Sequence, residues 1–437
     1  MEHTEQDQPQ WHIPFFTIWT GQALSWLGSA LVQFALVWWL TQTTGSATVL
    51  ALASMMAVLP RIFVSPFAGA LVDRWNRRIV MIVADGLIAL ALVVLAGLYA
   101  LDAAQVWHIY VLMFLRAVGG AFHWPAMQAS TTLLVPEEHL SRVAGMNQTL
   151  EGVANIASPA AAALLLQMLP MQSILAIDVV TAMLAIAPLF FISIPHPKRR
   201  ATPEATAGQP SVLADLREGL RFVWGWPGLT MMLVIATLSN LMANPAFAIA
   251  PLLVTEHFGG GALELSWLQS AFGIGLVAGG STLSVWGGFR RRVVTSYLAQ
   301  VLSGVGFVVI GLAPANAFPL AVGTTFLVGF LNSIINGSSM ALLQAIVPPE
   351  MQGRVFTLMM SATGVTTPLG LAIAGPVGDA LGVQPWFLMA GIVTTAMGVG
   401  AFFVPAIMHL EDSHKAQAVV EEDAPVAGSV NVNVAKE

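Results

Sequence analysis

Five charged side chains stand inside stretches of sequence that are otherwise apolar. They are Arg61, Asp85, Arg116, Glu151 and Asp178. A charge in an apolar surrounding is costly, so such residues are candidates for a functional site. Burial and a neighbouring arginine act in opposite directions on a carboxyl group, and a ligand that alters this balance makes the group bind or release a proton. We therefore expect proton coupling or substrate binding here. The alternative for each residue is a structural charge that fixes helix packing or reaches the membrane surface.

A second set of side chains has the chemistry of a lipophilic pocket. Aromatic rings offer flat apolar surfaces, methionine thioethers adapt to ligands of different shape, and amides supply hydrogen bonds. Packing against lipid or a neighbouring helix is the alternative for each of them. The pocket candidates are Trp26, Phe34, Met55, Met56, His123, Trp124, Asn240 and Asn336.

Sequence motifs of enzymes and nucleotide-binding proteins are not found. The chain has no Walker A motif, no H-E-x-x-H zinc motif and no G-x-S-x-G nucleophile turn. It has no cysteine, which excludes disulfides and thiolate metal sites. The glycine-rich stretch GIGLVAGG (273–280) lies in an apolar run, where small residues let helices pack closely. We expect neither an enzyme nor a bound metal or cofactor.

The composition identifies the elements that carry these residues. Of the 437 residues, 56% are hydrophobic and only 9% are charged, and the mean hydropathy is +0.76. A soluble domain has roughly 25% charged residues, so the chain is predicted to be an all-α membrane protein. The apolar runs are continuous, which favours helices over barrel strands. The twelve predicted spans have their cores at 15–40, 47–72, 78–101, 106–134, 144–168, 171–194, 228–255, 265–288, 293–313, 318–347, 354–379 and 385–409.

These spans divide the chain into two bundles of six helices. The first bundle is predicted over 15–194 and the second over 228–409, preceded by an N-terminal tail (1–14). Between the bundles, 195–227 begins with a stretch rich in proline, alanine and basic residues. It ends in an amphipathic helix expected to lie on the membrane surface. The segment 410–437 is predicted to be a polar, acidic tail.

Internal repetition and charge support the same division. LVPEEHLSRV (134–143) recurs as IVPPEMQGRV (346–355), and the same shift aligns GALVDRWNRR (69–78) with STLSVWGGFR (281–290). Two such halves are typical of transporters whose substrate site lies between them, near the middle of the bilayer. The arginines and lysines outside the spans fall on one side of a twelve-span chain. By the positive-inside rule, that side and both chain ends are cytoplasmic.

The charged stretch GALVDRWNRR is predicted to be a gate on the cytoplasmic side. Its arginines hold the turn inside, and its glycine is expected to allow a close approach of helices. The carboxylate of Asp73 is expected to bind the free amides at the start of the eleventh span, near Arg354. The gate candidates are Gly69, Asp73, Arg74, Arg77, Arg78 and Arg354.

These motifs resemble those of the major facilitator superfamily. GALVDRWNRR is similar to its G-x-x-x-D-R-x-x-R-[RK] signature, and RAVGGAF in the fourth span is similar to its helix-4 arginine motif. Further stretches resemble the macrolide-efflux branch of the drug–proton antiporters: IWTGQALSWLGSALVQFAL, TGSATVLALAS, AFHWPAMQA, LLVPEEHL, SPAAAALL and AIDVV.

The resemblance implies roles for particular residues. It makes Asp73 and Arg74 a cytoplasmic gate pair, Arg116 a coupling arginine, and Asp85 and Asp178 the recurring membrane acids of the branch.

Two departures stand against that pattern. The fifth span keeps Pro159 but has alanines where the antiporter motif has glycines, and Glu151 and Arg61 replace residues expected to be uncharged. An altered substrate is compatible with these differences.

The resemblance also implies the fold and the activity. We expect the major facilitator fold and the export of hydrophobic or amphiphilic compounds, of macrolide or multidrug type, in exchange for protons by alternating access. The expected partners are such a substrate, protons and the lipid bilayer, with no nucleic acid. The chain is expected to be a monomer in the cell membrane. One alternative is the export or import of a native metabolite, such as a siderophore or lipid-like compound. A membrane-embedded lipid-modifying enzyme is disfavoured, because no paired catalytic carboxylates are seen.

Overall fold

The computed structural model describes residues 11–72, 74–192 and 212–411. Twelve of the described helices are long and apolar enough to cross a membrane, so the predicted all-α fold is confirmed. Residues 1–10 of the expected N-terminal tail, about half of the expected linker (195–211) and all but two residues of the expected acidic tail lie outside the described residues. The spans are α1 (His12–Thr44), α2 (Ala47–Val72), α3 (Arg77–Ala100), α4 (Val106–Leu134), α5 (Leu140–Met168), α6 (Met171–Phe191), α8 (Pro227–Leu252), α9 (Ala262–Trp286), α10 (Arg292–Leu312), α11 (Phe318–Ile346), α12 (Pro349–Leu381) and α13 (Gln384–Phe402).

Two shorter helices accompany the second set of spans. The expected twelfth span, 385–409, is interrupted, because α13 ends at Phe402 and α14 (Pro405–Met408) follows. Pro405 has no amide hydrogen, and the residue before a proline avoids helical geometry, so the helix does not continue through it. The other short helix, α7 (Val212–Gly225), precedes α8.

The amphipathic helix α7 packs against protein. It contacts α12 and α8, and Val223 is buried among apolar side chains of the second half. Glu218 forms an ion pair with Arg354 of α12, with Oε1 and Nη1 3.0 Å apart. The sequence predicted a helix on the membrane surface, whereas the structure places this apolar side on the end of the second bundle.

The two halves have the same pattern of helix contacts. In the first half α1 packs on α5 and α6, α2 on α4, and α3 on α4 and α6. In the second half α8 packs on α12 and α13, α9 on α11, and α10 on α11 and α13. Each of these five contacts of the first half therefore has a counterpart in the second, as expected for a duplicated architecture.

Glycines bring neighbouring helices of the second half close together. A Cβ atom added at Gly275 or Gly279 would collide with the backbone oxygen of Phe326 or Phe330 on α11. A Cβ at Gly273 would lie 3.1 Å from Ile156 of α5, across the boundary between the halves. The predicted packing role of the GIGLVAGG stretch is confirmed.

The ends of the molecule differ in how the halves meet. We call one end the arginine-rich face; it carries the turns and helix ends with Arg74, Arg77, Arg78, Arg142, Arg290, Arg291, Arg292 and Arg354. The other end, with the α1–α2 and α12–α13 turns, is the opposite face. Between the halves α2 packs on α12 and α5 on α9. A single apolar core spans both halves from the opposite face inward, whereas the halves have separate apolar cores near the arginine-rich face. The structure is thus closed at the opposite face.

Candidate functional site

A buried ion pair joins three helices of the first half. Arg116 of α4 and Asp178 of α6 approach to 3.4 Å, and the Asp178 side chain is only 1% exposed. Ser29 of α1 donates its hydroxyl to Asp178 Oδ1 at 3.0 Å and accepts a bond from Arg116 at its backbone oxygen, at 2.9 Å. Arg116 and Asp178, which the sequence indicated as separate charges, therefore form one cluster with Ser29 of α1.

A second acid–base pair lies nearer the arginine-rich face than the first pair. Asp85 of α3 accepts a hydrogen bond from Gln22 at 3.1 Å and lies 3.4 Å from Nε2 of His123. On α1, Gln22 lies seven residues before Ser29, and on α4, His123 lies seven residues after Arg116. With this spacing, each helix presents residues of both clusters on the same face. The clusters are about 10 Å apart along the helix axes, at 1.5 Å per residue. His123, expected in the pocket, lies in this pair.

A cavity of about 420 Å³ lies between the two halves. Its wall is mainly apolar and aromatic, with a few amides and hydroxyls, which is typical of sites for small organic ligands. The first half contributes the stripes Ala30, Gln33, Phe34 and Val37 of α1 and Ala154, Asn155, Ser158 and Pro159 of α5. The second half contributes Phe247, Ala250, Leu253, Leu265, Leu268, Gln269, Phe272, Leu276, Phe307, Ile310, Thr325, Val328 and Phe387. We call it the central cavity.

Two predicted site residues lie next to this cavity, on its side towards the arginine-rich face. Trp26 is one helical turn from Ala30 on α1, and Glu151 is one turn from Asn155 on α5, both towards the arginine-rich face. Both side chains are exposed. Phe34, another pocket candidate, is part of the cavity wall itself.

A second cavity of about 460 Å³ lies within the second half and has a more polar wall. It shares Phe247, Phe307 and Val328 with the central cavity, so the two spaces are adjacent. The pocket candidates Asn240 and Asn336 line it. We call it the amide chamber.

Other candidates stand elsewhere. Met55, Met56 and Trp124 are not among the residues that line either cavity, and Trp124 is half exposed. Arg61 is exposed on α2 and likewise lines neither cavity.

The expected gate residues lie at the arginine-rich face. Arg78 donates to the backbone oxygen of Phe190 at 2.6 Å, and Arg77 contacts that of Ala129. Arg74 is exposed. Asp73 lies outside the described residues, so its expected contact with the start of α12 stays a prediction.

The glycine of this motif makes no close contact in the structure. Among the described residues, a Cβ atom added at Gly69 would have no atom within 4 Å beyond the helix's own neighbouring backbone. The expected close approach of helices at Gly69 is not found among them, because the described parts of the two halves are separated at this face.

One acid of the site was missed by the sequence analysis. Asp379, near the end of α12, binds the start of α2 across the boundary between the halves. Its carboxylate accepts bonds from the Ala47 amide at 2.6 Å, the Thr48 amide at 3.2 Å and the Ser46 hydroxyl at 3.0 Å. A carboxylate is favourable at a helix N-terminus, so this contact holds the opposite face closed. The only signal in the sequence is a serine before an apolar run.

The sequence also missed most of the cavity wall. Gln33, Asn155 and Gln269 line the central cavity, and Ser29 and Gln22 complete the ion-pair clusters. Helical spacing alone does not distinguish a cavity face from a lipid face when both are apolar.

Two six-helix halves around a central cavity define a membrane transporter of the major facilitator type, not an enzyme. Residues 8–434 match the family model described as transmembrane secretion effector, and the chain belongs to this family. It is 34% identical over 401 residues to macrolide efflux protein A of Streptococcus pyogenes, covering 92% of this chain and 98% of the relative. It is 28% identical to the multidrug efflux pump Tap of Mycolicibacterium fortuitum, covering 89% and 95%.

Solved structures show the same fold. A bacterial homologue of the human lysosomal transporter Spinster, in an inward-facing and unoccupied conformation, superposes with a TM-score of 0.68 at 11% identity. The match covers 94% of this chain and 99% of that one. The nucleoside transporter NupG gives a TM-score of 0.65 at 11% identity, covering 89% and 98%.

Proposed function

We propose that this chain exports amphiphilic compounds of macrolide or multidrug type in exchange for protons, by alternating access. The names of the relatives support the class of substrate. The wall of the central cavity supports it independently, because phenylalanine rings with a few amides suit an apolar body that carries some polar groups.

The observation that carries proton coupling is the position of Ser29. Its side chain and backbone bind Asp178 and Arg116, and the next residue, Ala30, lines the central cavity. A substrate that displaces this part of α1 alters the contacts of the buried carboxylate and hence its affinity for a proton. Protonation of Asp178 in turn weakens its pair with Arg116 and frees α1. Asp85 and His123 offer a further proton-binding step towards the arginine-rich face.

The arrangement of the two faces supports alternating access. The halves share one apolar core and the Asp379 contacts at the opposite face, and they have separate cores at the arginine-rich face. In the proposed cycle the closed face opens outward while Asp73 and its neighbouring arginines close the other. By the positive-inside rule, the arginine-rich face and both chain ends lie on the cytoplasmic side of the cell membrane. In this proposal the chain acts as a monomer.

The test is transport in inside-out membrane vesicles that carry a proton gradient. Asp178→Asn keeps the size of the side chain but removes the exchangeable proton. We expect it to lose gradient-driven transport and the substrate-induced proton release. Fluorescence quenching of an acridine dye reports the proton release.

The matched control is Asp102→Asn, the same change in an exposed turn. Asp102 has a φ angle of 52°, which asparagine adopts as readily, so transport is expected to stay at the wild-type rate. Transport by the Asp178→Asn variant at the wild-type rate, with the same proton release, contradicts the proposed coupling.

A further inference from the structure

The amide chamber has a wall that is polar but carries no side chain that is charged near neutral pH. Among the described residues it is lined by asparagine, glutamine, serine, threonine, methionine, aliphatic and aromatic side chains, with no aspartate, glutamate, lysine, arginine or histidine. An unpaired charge in such a surrounding is strongly disfavoured. The wall therefore offers no charged partner to a ligand group, which favours an uncharged one.

The hydrogen bonds of the wall fix the orientation of its amides. Asn336 donates Nδ2 to the backbone oxygen of Asn332 at 2.9 Å, and Asn240 donates Nδ2 to that of Ala236 at 2.9 Å. A backbone oxygen only accepts, so these amides have one orientation. Asn244 then donates to Oδ1 of Asn240.

This pattern leaves carbonyl oxygens available to a ligand. Oδ1 of Asn244 and Oδ1 of Asn336 accept no hydrogen bond from the described residues, and both side chains line the chamber. Nδ2 of Asn332 likewise has no acceptor among them. The wall thus offers acceptors together with a donor.

Hydroxyl groups on a ligand match this wall. A hydroxyl both donates and accepts, so it can donate to the free carbonyl oxygens of Asn244 and Asn336 and accept from the free amide of Asn332.

We propose that the amide chamber binds an uncharged, hydroxyl-rich group, such as a glycosyl unit, of an amphiphile whose apolar part occupies the central cavity. The shared residues Phe247, Phe307 and Val328 place the two parts of one molecule side by side. Methionines at the edge, among them the 75% exposed Met360, give apolar contact to the face of a sugar ring. This inference rests on the proposed export of amphiphiles and names the chemistry of the exported compound.

The experiment measures binding to the purified full chain in lipid nanodiscs, without a proton gradient. The probes are two dansyl-labelled alkyl ethers that differ at one end: one has a maltosyl group and the other a methoxy group. Asn244→Leu and Asn336→Leu each remove an acceptor at similar volume. We expect each to weaken maltosyl-probe binding about tenfold, the equivalent of about 1.4 kcal/mol, with the methoxy probe changed less than about twofold.

A second variant does not depend on the asparagines. Met360→Trp places a large ring at an exposed position on the chamber wall and is expected to fold, and it should reduce maltosyl-probe binding alone. The control is Phe272→Ala in the central cavity, which should weaken both probes alike.

The outcomes separate the two proposals. If the asparagine variants and Met360→Trp change both probes equally, or change neither, the chamber does not bind the hydroxyl-rich group and the inference is overturned. If the wild-type chain binds neither probe, the proposed export of amphiphiles and the inference both fail.

Discussion

Asp178 is the most buried carboxylate in the described part of the chain, and its two oxygens are shared between Ser29 and Arg116. Removal of one member of a buried ion pair leaves the other unpaired, which costs about 3–5 kcal/mol. Replacement of both members by neutral amides removes this penalty. A comparison of the single and the double substitution therefore separates the contribution of the pair to stability from its contribution to transport.

We expect Arg116→Gln to lower the thermal unfolding temperature sharply and Arg116→Gln with Asp178→Asn to restore most of it. Gradient-driven transport is expected to be lost in both variants, because neither has an exchangeable proton opposite an arginine. Thermal unfolding in detergent and transport in vesicles measure the two effects. Recovery of transport together with stability in the double variant would mean that the pair only holds the helices.

At this scale the sequence identified single charges and not their partners. Arg116 and Asp178 stand out because charges are rare in apolar runs, but the sequence does not show that α4 and α6 bring them to the same serine. The sequence also did not predict the surroundings of Glu151. Its apolar sequence context indicates burial, whereas its side chain is exposed beside the central cavity. Neighbours on other helices decide both cases.

Helix α12 stabilises the first turn of α2 through Asp379. Loss of an N-terminal capping side chain costs about 0.5–2 kcal/mol. Because this cap crosses between the halves, we expect Asp379→Ala to shift the population towards opening at the opposite face by several-fold. A cysteine introduced as Gln33→Cys in the central cavity should then react faster with a membrane-impermeant thiol reagent added from that side.

The control for this shift is a cap within a single half. Glu264 accepts a bond from the Gly261 amide at 2.7 Å at the start of α9, on the same face. Glu264→Ala is expected to leave the labelling rate of Gln33→Cys unchanged. Equal acceleration by both variants would indicate general loosening of the fold and not an opening of the boundary.

Most elements followed from hydropathy, because a span of about 20 apolar residues has few alternatives in a bilayer. The exceptions arise from local chemistry. Pro405 ends the last span early. The apolar side of α7, which the sequence predicted to contact lipid, packs against apolar side chains of the second half. The repeat predicted two related halves, and their matching contacts now extend that relation from sequence to packing.

The whole molecule is held closed at the opposite face by α2 against α12. A Cβ atom placed at Gly375 would lie 3.1 Å from that of Ala51, slightly less than the span of a disulfide. The chain has no cysteine of its own, so an introduced pair reacts without background. We expect Ala51→Cys with Gly375→Cys to cross-link under oxidation and to stop transport, with recovery on reduction.

The single variants Ala51→Cys and Gly375→Cys serve as controls, since oxidation should not change their transport. Undiminished transport by the cross-linked double variant would contradict an exchange cycle that opens this face.

The separation of charge from cavity wall has a consequence for how such a protein diversifies. The intramembrane ion pairs of the described chain lie in the first half, and the amide chamber lies wholly in the second. Substitutions in the chamber alter which compounds fit without disturbing the ion pairs to which the proposed function assigns proton coupling. Under selection by new toxic compounds, variation that widens the range of exported molecules should therefore accumulate in α8, α10, α11, α12 and α13, while α4 and α6 stay constant.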